Sequence, residues 1–137
     1  MKTAKIIVDV FMLFFIILSV IRWDGDPTFH IAVGVGCSLF FLIHLSLNLK
    51  PFLAMTRKLR KLKIIIKLQY IVDVLLIIVW ITVIITGFIA IPFYIGDIGR
   101  IGRLHGVFAR VGCGLSVIHL LQHLKQIISY FKRRKSA

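Results

Sequence analysis

The chain is poor in acid. Only five of its 137 residues are acidic, against 18 lysines and arginines, and charged residues of both signs make up 17%. An ordinary soluble domain carries about 25% charged residues. Cysteine is also scarce: Cys37 and Cys113 have no zinc-motif spacing, and both fall inside apolar runs, where a disulfide is not expected. What fills the chain instead is apolar. Hydrophobic residues make up 59%, and the mean hydropathy is +0.98. The formal charge of +13 would point a soluble protein toward nucleic acid, which needs basic residues spread over an exposed face. Here the hydropathy points to a lipid bilayer, with the cations pushed to the ends of membrane spans, so no nucleic-acid partner is expected.

Four apolar runs follow one another, each near the length of about 20 residues that crosses a bilayer. Backbone groups in lipid must be satisfied within their own segment, so the runs are expected to be helices. The expected spans are about 5–22, 29–49, 66–91 and 104–130, within a single transmembrane domain over 1–137. The opening run resembles a signal peptide in Lys2 and Lys5, but Asp9 interrupts it and Ser19-Val20-Ile21 offers no small-x-small cleavage site. It is therefore expected to be retained as helix 1. Trp23-Asp24-Gly25-Asp26-Pro27 reads as a tight turn, and Pro92 to Arg103 as a glycine-punctuated loop. Lys50 to Lys67 reads as a basic connection. Short connections imply an all-α, antiparallel up-down-up-down bundle.

Fourteen of the eighteen cations fall on one side of such a bundle: the N-terminus, the middle connection and the C-terminal end. The positive-inside rule then places both termini in the cytoplasm, for a multi-pass protein of the cytoplasmic (inner) membrane. The basic middle connection is expected to act as a topology signal that also attracts anionic lipid; docking of an acidic partner is the rival reading. Trp23 and Tyr94 on one side, with Tyr70 and Tyr130 on the other, fit aromatic belts.

Ionisable residues inside spans are costly and mark function. His30 and His44 lie 14 apart on helix 2, and His105 and His119 lie 14 apart on helix 4. Fourteen residues turn through almost four full turns, so each pair shares a helix face. The rise separates the two by about 21 Å. In an up-down bundle His30 is level with His105, and His44 with His119. Two facing histidines at each of two depths suit two haems, each with both axial positions filled by imidazole. The spacing predicts an outer haem on His30 and His105 and an inner haem on His44 and His119. Cys-x-x-Cys-His is absent, so the haems would be b-type. The bland reading is interhelical hydrogen bonding by isolated polar residues. Zinc or copper wants three or four ligands at one depth, which pairs four turns apart do not supply.

Gly34, Cys37, Ala109 and Gly112 lie on or near the histidine faces. They fit either haem contact or close helix packing by small residues. Arg110 either snorkels outward or meets an outer haem propionate, a role open to Arg100 and Arg103 as well. His123, one turn beyond His119, reads first as an interfacial histidine. Its functional alternatives are a propionate contact, part of a quinol site, or replacement of His119 as ligand. Asp9 and Asp73 near the starts of helices 1 and 3 are expected to favour the helix N-termini and to pair with nearby lysines. The functional alternative is proton uptake linked to quinol chemistry.

The chain has an internal pseudo-repeat of a helix pair. Ile7-Val8-Asp9-Val10 matches Ile71-Val72-Asp73-Val74, and Ile43-His44-Leu45 matches Ile118-His119-Leu120. The two offsets, 64 and 75, mean that the halves differ by an 11-residue insertion in the loops. With the histidine pairs, these motifs make the chain resemble small di-haem b-type membrane cytochromes, and more narrowly the flavinylation-associated cytochrome family, over about residues 5–131. The resemblance implies transmembrane electron transfer from a cytoplasmic-side or quinol donor to flavin-bearing redox partner proteins outside. It implies an electron carrier more than a stand-alone enzyme, and no catalytic residue is expected. Three rivals remain: a haem-bearing or haem-free anchor subunit of a larger redox complex, a cofactor-free scaffold, and a transporter using the histidines as relays.

Overall fold

The computed structural model describes residues 2–21, 27–91 and 99–135. Four helices carry the chain: α1 (Lys2–Val20), α2 (Pro27–Lys58), α3 (Ile64–Ala90) and α4 (Gly99–Lys135). All four are long and apolar enough to cross a membrane, which makes this an all-α, multi-pass membrane protein. The expected turn at 23–26 and the loop at 92–98 lie outside the described residues. So do Arg22, Trp23, Asp24, Asp26, Tyr94 and Asp97, as does the side chain of Tyr130.

The second and fourth helices are longer than the sequence reading has them. The second helix does not stop near Leu49. It continues through Pro51 to Lys58 and closes with a 3-10 turn over Leu59–Lys61. Leucine, methionine, lysine and arginine are good helix formers. Pro51 lies inside this helix, where it removes the hydrogen bond to the Leu47 carbonyl and crowds that carbonyl. The extension is held against α3 by Phe52, whose ring stacks on Tyr70 at 5.2 Å, and by Thr56 Oγ1 at 3.0 Å from the Tyr70 hydroxyl. The basic connection is therefore largely helix, and the extended residue Lys63 accepts the first backbone bonds of α3 from Ile66 and Lys67. The fourth helix starts at Gly99, five residues earlier than expected, and runs on to Lys135. Gly99 has φ of 49°, a left-handed conformation that costs glycine nothing and lets the chain turn into α4.

The helices form two hairpins, α1–α2 and α3–α4, whose partners lie close along their lengths. Between hairpins the backbones touch little. Side chains make that junction, in an apolar layer of Ile16, Cys37, Phe41, Val79, Trp80 and Val83. Trp80 is its centre. It is 7% exposed, lies 6.3 Å from the Phe41 ring of α2, and donates from Nε1 to Ser116 Oγ of α4 at 3.2 Å. Most hydroxyls in the spans bond within their own helix, as Ser38 does to the Gly34 carbonyl and Thr82 to that of Ile78. Large apolar side chains such as Phe14, Leu39, Ile78 and Leu121 are exposed on the outside, as a lipid-facing surface requires.

Candidate functional site: two histidine layers

The apolar layer lies between two polar layers, both at the junction of α2 and α4. For description, the basic end is the one where α2 ends and α3 begins. The opposite end is the far end.

At the far end His30 faces His105, with ring centroids 6.1 Å apart and planes at 88°. At the basic end His44 faces His119, at 6.5 Å and 81°. The expected pairing by depth is what the fold brings together. Two imidazoles sharing one metal through opposed nitrogens, with bonds of about 2 Å, have ring centres about 6 Å apart. Both pairs have that spacing.

Hydrogen bonds at the other ring nitrogen decide which nitrogen is free. His44 Nδ1 lies 2.6 Å from Asp9 Oδ1, and His119 Nδ1 lies 2.8 Å from Asp73 Oδ1. A carboxylate accepts, so each Nδ1 carries the proton and Nε2 keeps its lone pair. His105 Nδ1 lies 3.1 Å from the Val83 carbonyl, which also can only accept. Thr86 Oγ1 is 3.3 Å from the same nitrogen. His44 Nε2 lies 3.5 Å from Asn48 Nδ2. Three of the four histidines thus have Nδ1 engaged. Metal-binding histidines have this arrangement, the outer partner fixing tautomer and ring orientation.

The roles of Asp9 and Asp73 differ from the lysine pairing expected of them. Each binds the histidine of its own hairpin. Lys5 Nζ instead donates to Asn48 Oδ1 at 2.8 Å, while Asn48 Nδ2 donates to the His44 carbonyl at 2.9 Å. The matching Ile-Val-Asp-Val motifs therefore place equivalent carboxylates on equivalent imidazoles. Asp73 is the more enclosed, 16% exposed against 48% for Asp9.

Gly87 is a site residue for which the amino-acid pattern carries no signal. A Cβ there would lie 3.1 Å from His105 Cε1 and 3.4 Å from Nδ1. Its missing side chain lets the ring lie against α3, in reach of the Val83 carbonyl one turn earlier.

The small residues divide. Gly112 is buried, and a Cβ on it would lie 3.3 Å from Val79 and 3.5 Å from Trp80. Cys37 is 5% exposed in the apolar layer, and Ala109 and Cys113 pack against that layer. These residues bring helices together. Gly34 opens instead onto space: among the described residues, no neighbouring atom would lie within 4 Å of a Cβ there. Arg110 is exposed, and its guanidinium turns back beside Gly106 toward the far end. Arg100 and Arg103 line a shallow groove there with Leu104 and Val107.

His123 is not isolated. Its ring centre lies 4.7 Å from that of His119. One ligand atom each from Asp73, His119 and His123 lie within 4.8 Å of one another. Three candidate ligands, one carboxylate and two imidazoles, therefore converge at the basic end, which the histidine spacing alone does not suggest. Nearby, Gln122 Oε1 is buried without a hydrogen-bond partner among the described residues.

Comparison of the chain with family models, with curated proteins and with solved structures finds no match to any of them.

Proposed function

We propose that the chain is a membrane electron carrier that holds two b-type haems, one between His30 and His105 and one between His44 and His119. The observation that carries this reading is the facing of the two histidine pairs at two depths, with three Nδ1 atoms engaged. Haem bound there would be held by these four histidines and would supply reversible one-electron iron chemistry. The protein's own residues do the rest. Asp9, Asp73 and the Val83 carbonyl fix the imidazoles, and the apolar layer around Trp80 keeps water out of the space between the pairs. The cation count puts the basic end and both termini in the cytoplasm of a cell with this protein in its inner membrane. The resemblance to flavinylation-associated cytochromes supports a cytoplasmic-side or quinol donor and an extracytoplasmic, flavin-bearing acceptor.

The test is an absorption spectrum of the purified full chain, with haem quantified per polypeptide. Two b-type haems per chain are expected. None, or one, overturns the reading.

A second reading rests on Asp73, His119 and His123, which suit one divalent transition metal at the basic end. Metal analysis of the same preparation separates the two, since this reading gives a colourless chain with one metal.

A further inference from the structure

We propose that Asp9 and Asp73 are positioning residues that hold the reduction potential of the basic-end site below that of the far-end site. The inference rests on the haem reading and extends it from where the haems sit to how the two differ. Its ground is an asymmetry in what each imidazole donates to. At the basic end both Nδ1 atoms donate to carboxylates, at 2.6 Å and 2.8 Å. At the far end His105 donates to a neutral backbone carbonyl at 3.1 Å. A carboxylate partner raises the basicity of a metal-binding imidazole more than a carbonyl does. A more basic imidazole favours the more positively charged, oxidised iron. The two carboxylates also lie in direct contact with the basic-end imidazoles, nearer than the cations of that end, whereas no described carboxylate meets the far-end pair. Lys5 Nζ is held by Asn48, whose amide also meets His44, so its charge offsets part of the Asp9 carboxylate's. Both effects have the same sign. An electron passing from the basic-end site to the far-end site then goes downhill, the first being oxidised by one electron as the second is reduced by one. Asp73, 16% exposed, acts in lower dielectric than Asp9 at 48%, so it contributes the larger part.

The experiment is potentiometric titration of the haem-loaded full chain in lipid nanodiscs, followed by haem absorbance. His30→Ala retains the basic-end haem alone, and His44→Ala the far-end haem alone. The first is expected to titrate at the lower potential. In the otherwise native chain, Asp73→Asn is expected to shift the lower step upward by about tenfold in its equilibrium constant, about 59 mV for one electron, and to leave the upper step in place. Asp9→Asn is expected to shift the same step by less, and Asp73→Glu to return it toward its original value. An inverted or equal order of the two sites overturns the proposal. So does an Asp73→Asn chain that binds two haems with its lower step unmoved. Should Asp73→Asn shed the basic-end haem, the order of the His30→Ala and His44→Ala chains decides alone. A native chain that binds no haem is a different result, visible before any titration, and it overturns the reading underneath.

Discussion

Asp73 Oδ1 accepts a 2.8 Å hydrogen bond from His119 Nδ1, and the bond joins α3 to α4 within one hairpin. Asp9 and His44 make the same bond between α1 and α2 at 2.6 Å. The two are separated by 46 and 35 residues in sequence, so the second hairpin carries 11 more residues between its aspartate and its histidine. Each hairpin therefore ties its own histidine with its own aspartate. The histidines then face each other across the junction, where backbones stay apart and side chains fill the space.

The Asp73–His119 bond is expected to contribute measurably to folding. Interhelical hydrogen bonds in membranes couple by about 0.6 kcal/mol on average and up to about 1.7. A double-mutant cycle with Asp73→Ala and His119→Ala, read by unfolding of the haem-free chain in mixed micelles, should give about 1 kcal/mol. The equivalent cycle on Asp9 and His44 should give less, because water reaches the half-exposed Asp9. Equal coupling in both cycles would contradict this.

Gly87→Ala is expected to disturb the far-end histidine layer and spare the basic-end one. The added methyl would lie 3.1 Å from His105 Cε1, closer than an unstrained contact. The ring must then move away from α3 and loosen its bond to the Val83 carbonyl. In the haem-loaded chain the spectrum of one haem should change and that of the other should not. Stability should fall by about 1 kcal/mol, the low end for overpacking. A change in both haems, or in neither, counts against the assignment of Gly87.

These two cases mark what the sequence made legible. The four spans follow from apolar length alone. The histidine pairing follows from a spacing of 14 within single helices, so no knowledge of packing is needed. The repeated Ile-Val-Asp-Val motif shows that Asp9 and Asp73 are equivalent. It does not show their partners, because the rotation of α1 against α2 is not written in either helix. Gly87 is further out of reach, since its role depends on how α3 is turned toward His105. The convergence of Asp73 with His119 and His123 is hidden for the same reason: one of the three ligands comes from a different helix. The continuation of α2 through Pro51 is a different kind of miss. Charge and proline read as a loop, yet the contacts of Phe52 and Thr56 with Tyr70 hold the extra turns as helix.

Glycines that look alike in sequence should respond differently. Gly112→Ala places a methyl 3.3 Å from Val79 and 3.5 Å from Trp80, both in the buried layer. It is expected to cost about 1–2 kcal/mol by overpacking α3 against α4. Gly34→Ala meets no atom of the described residues within 4 Å and gains helix propensity, so folding should change by less than about 0.5 kcal/mol or improve. Thermal unfolding of the two variants in the same detergent compares them directly. Similar losses would show that the space beside Gly34 is closed in the membrane.

His123→Ala separates the ligand that faces His44 from its neighbour. The His119 ring centre stands 6.5 Å from that of His44 and its Nδ1 is bound to Asp73, whereas the His123 ring lies 4.7 Å from His119 with its plane tilted by 54°. Removing His123 leaves His119, its carboxylate and its facing partner in place. The variant is therefore expected to keep two haems per chain with an unchanged spectrum. Binding of added zinc to the haem-free chain should weaken by at least about tenfold, because one of three converging ligands is gone. Haem stoichiometry and a zinc titration read the two outcomes independently. A variant with one haem would make His123 an axial ligand in place of His119, and the pairing at the basic end would have to be redrawn.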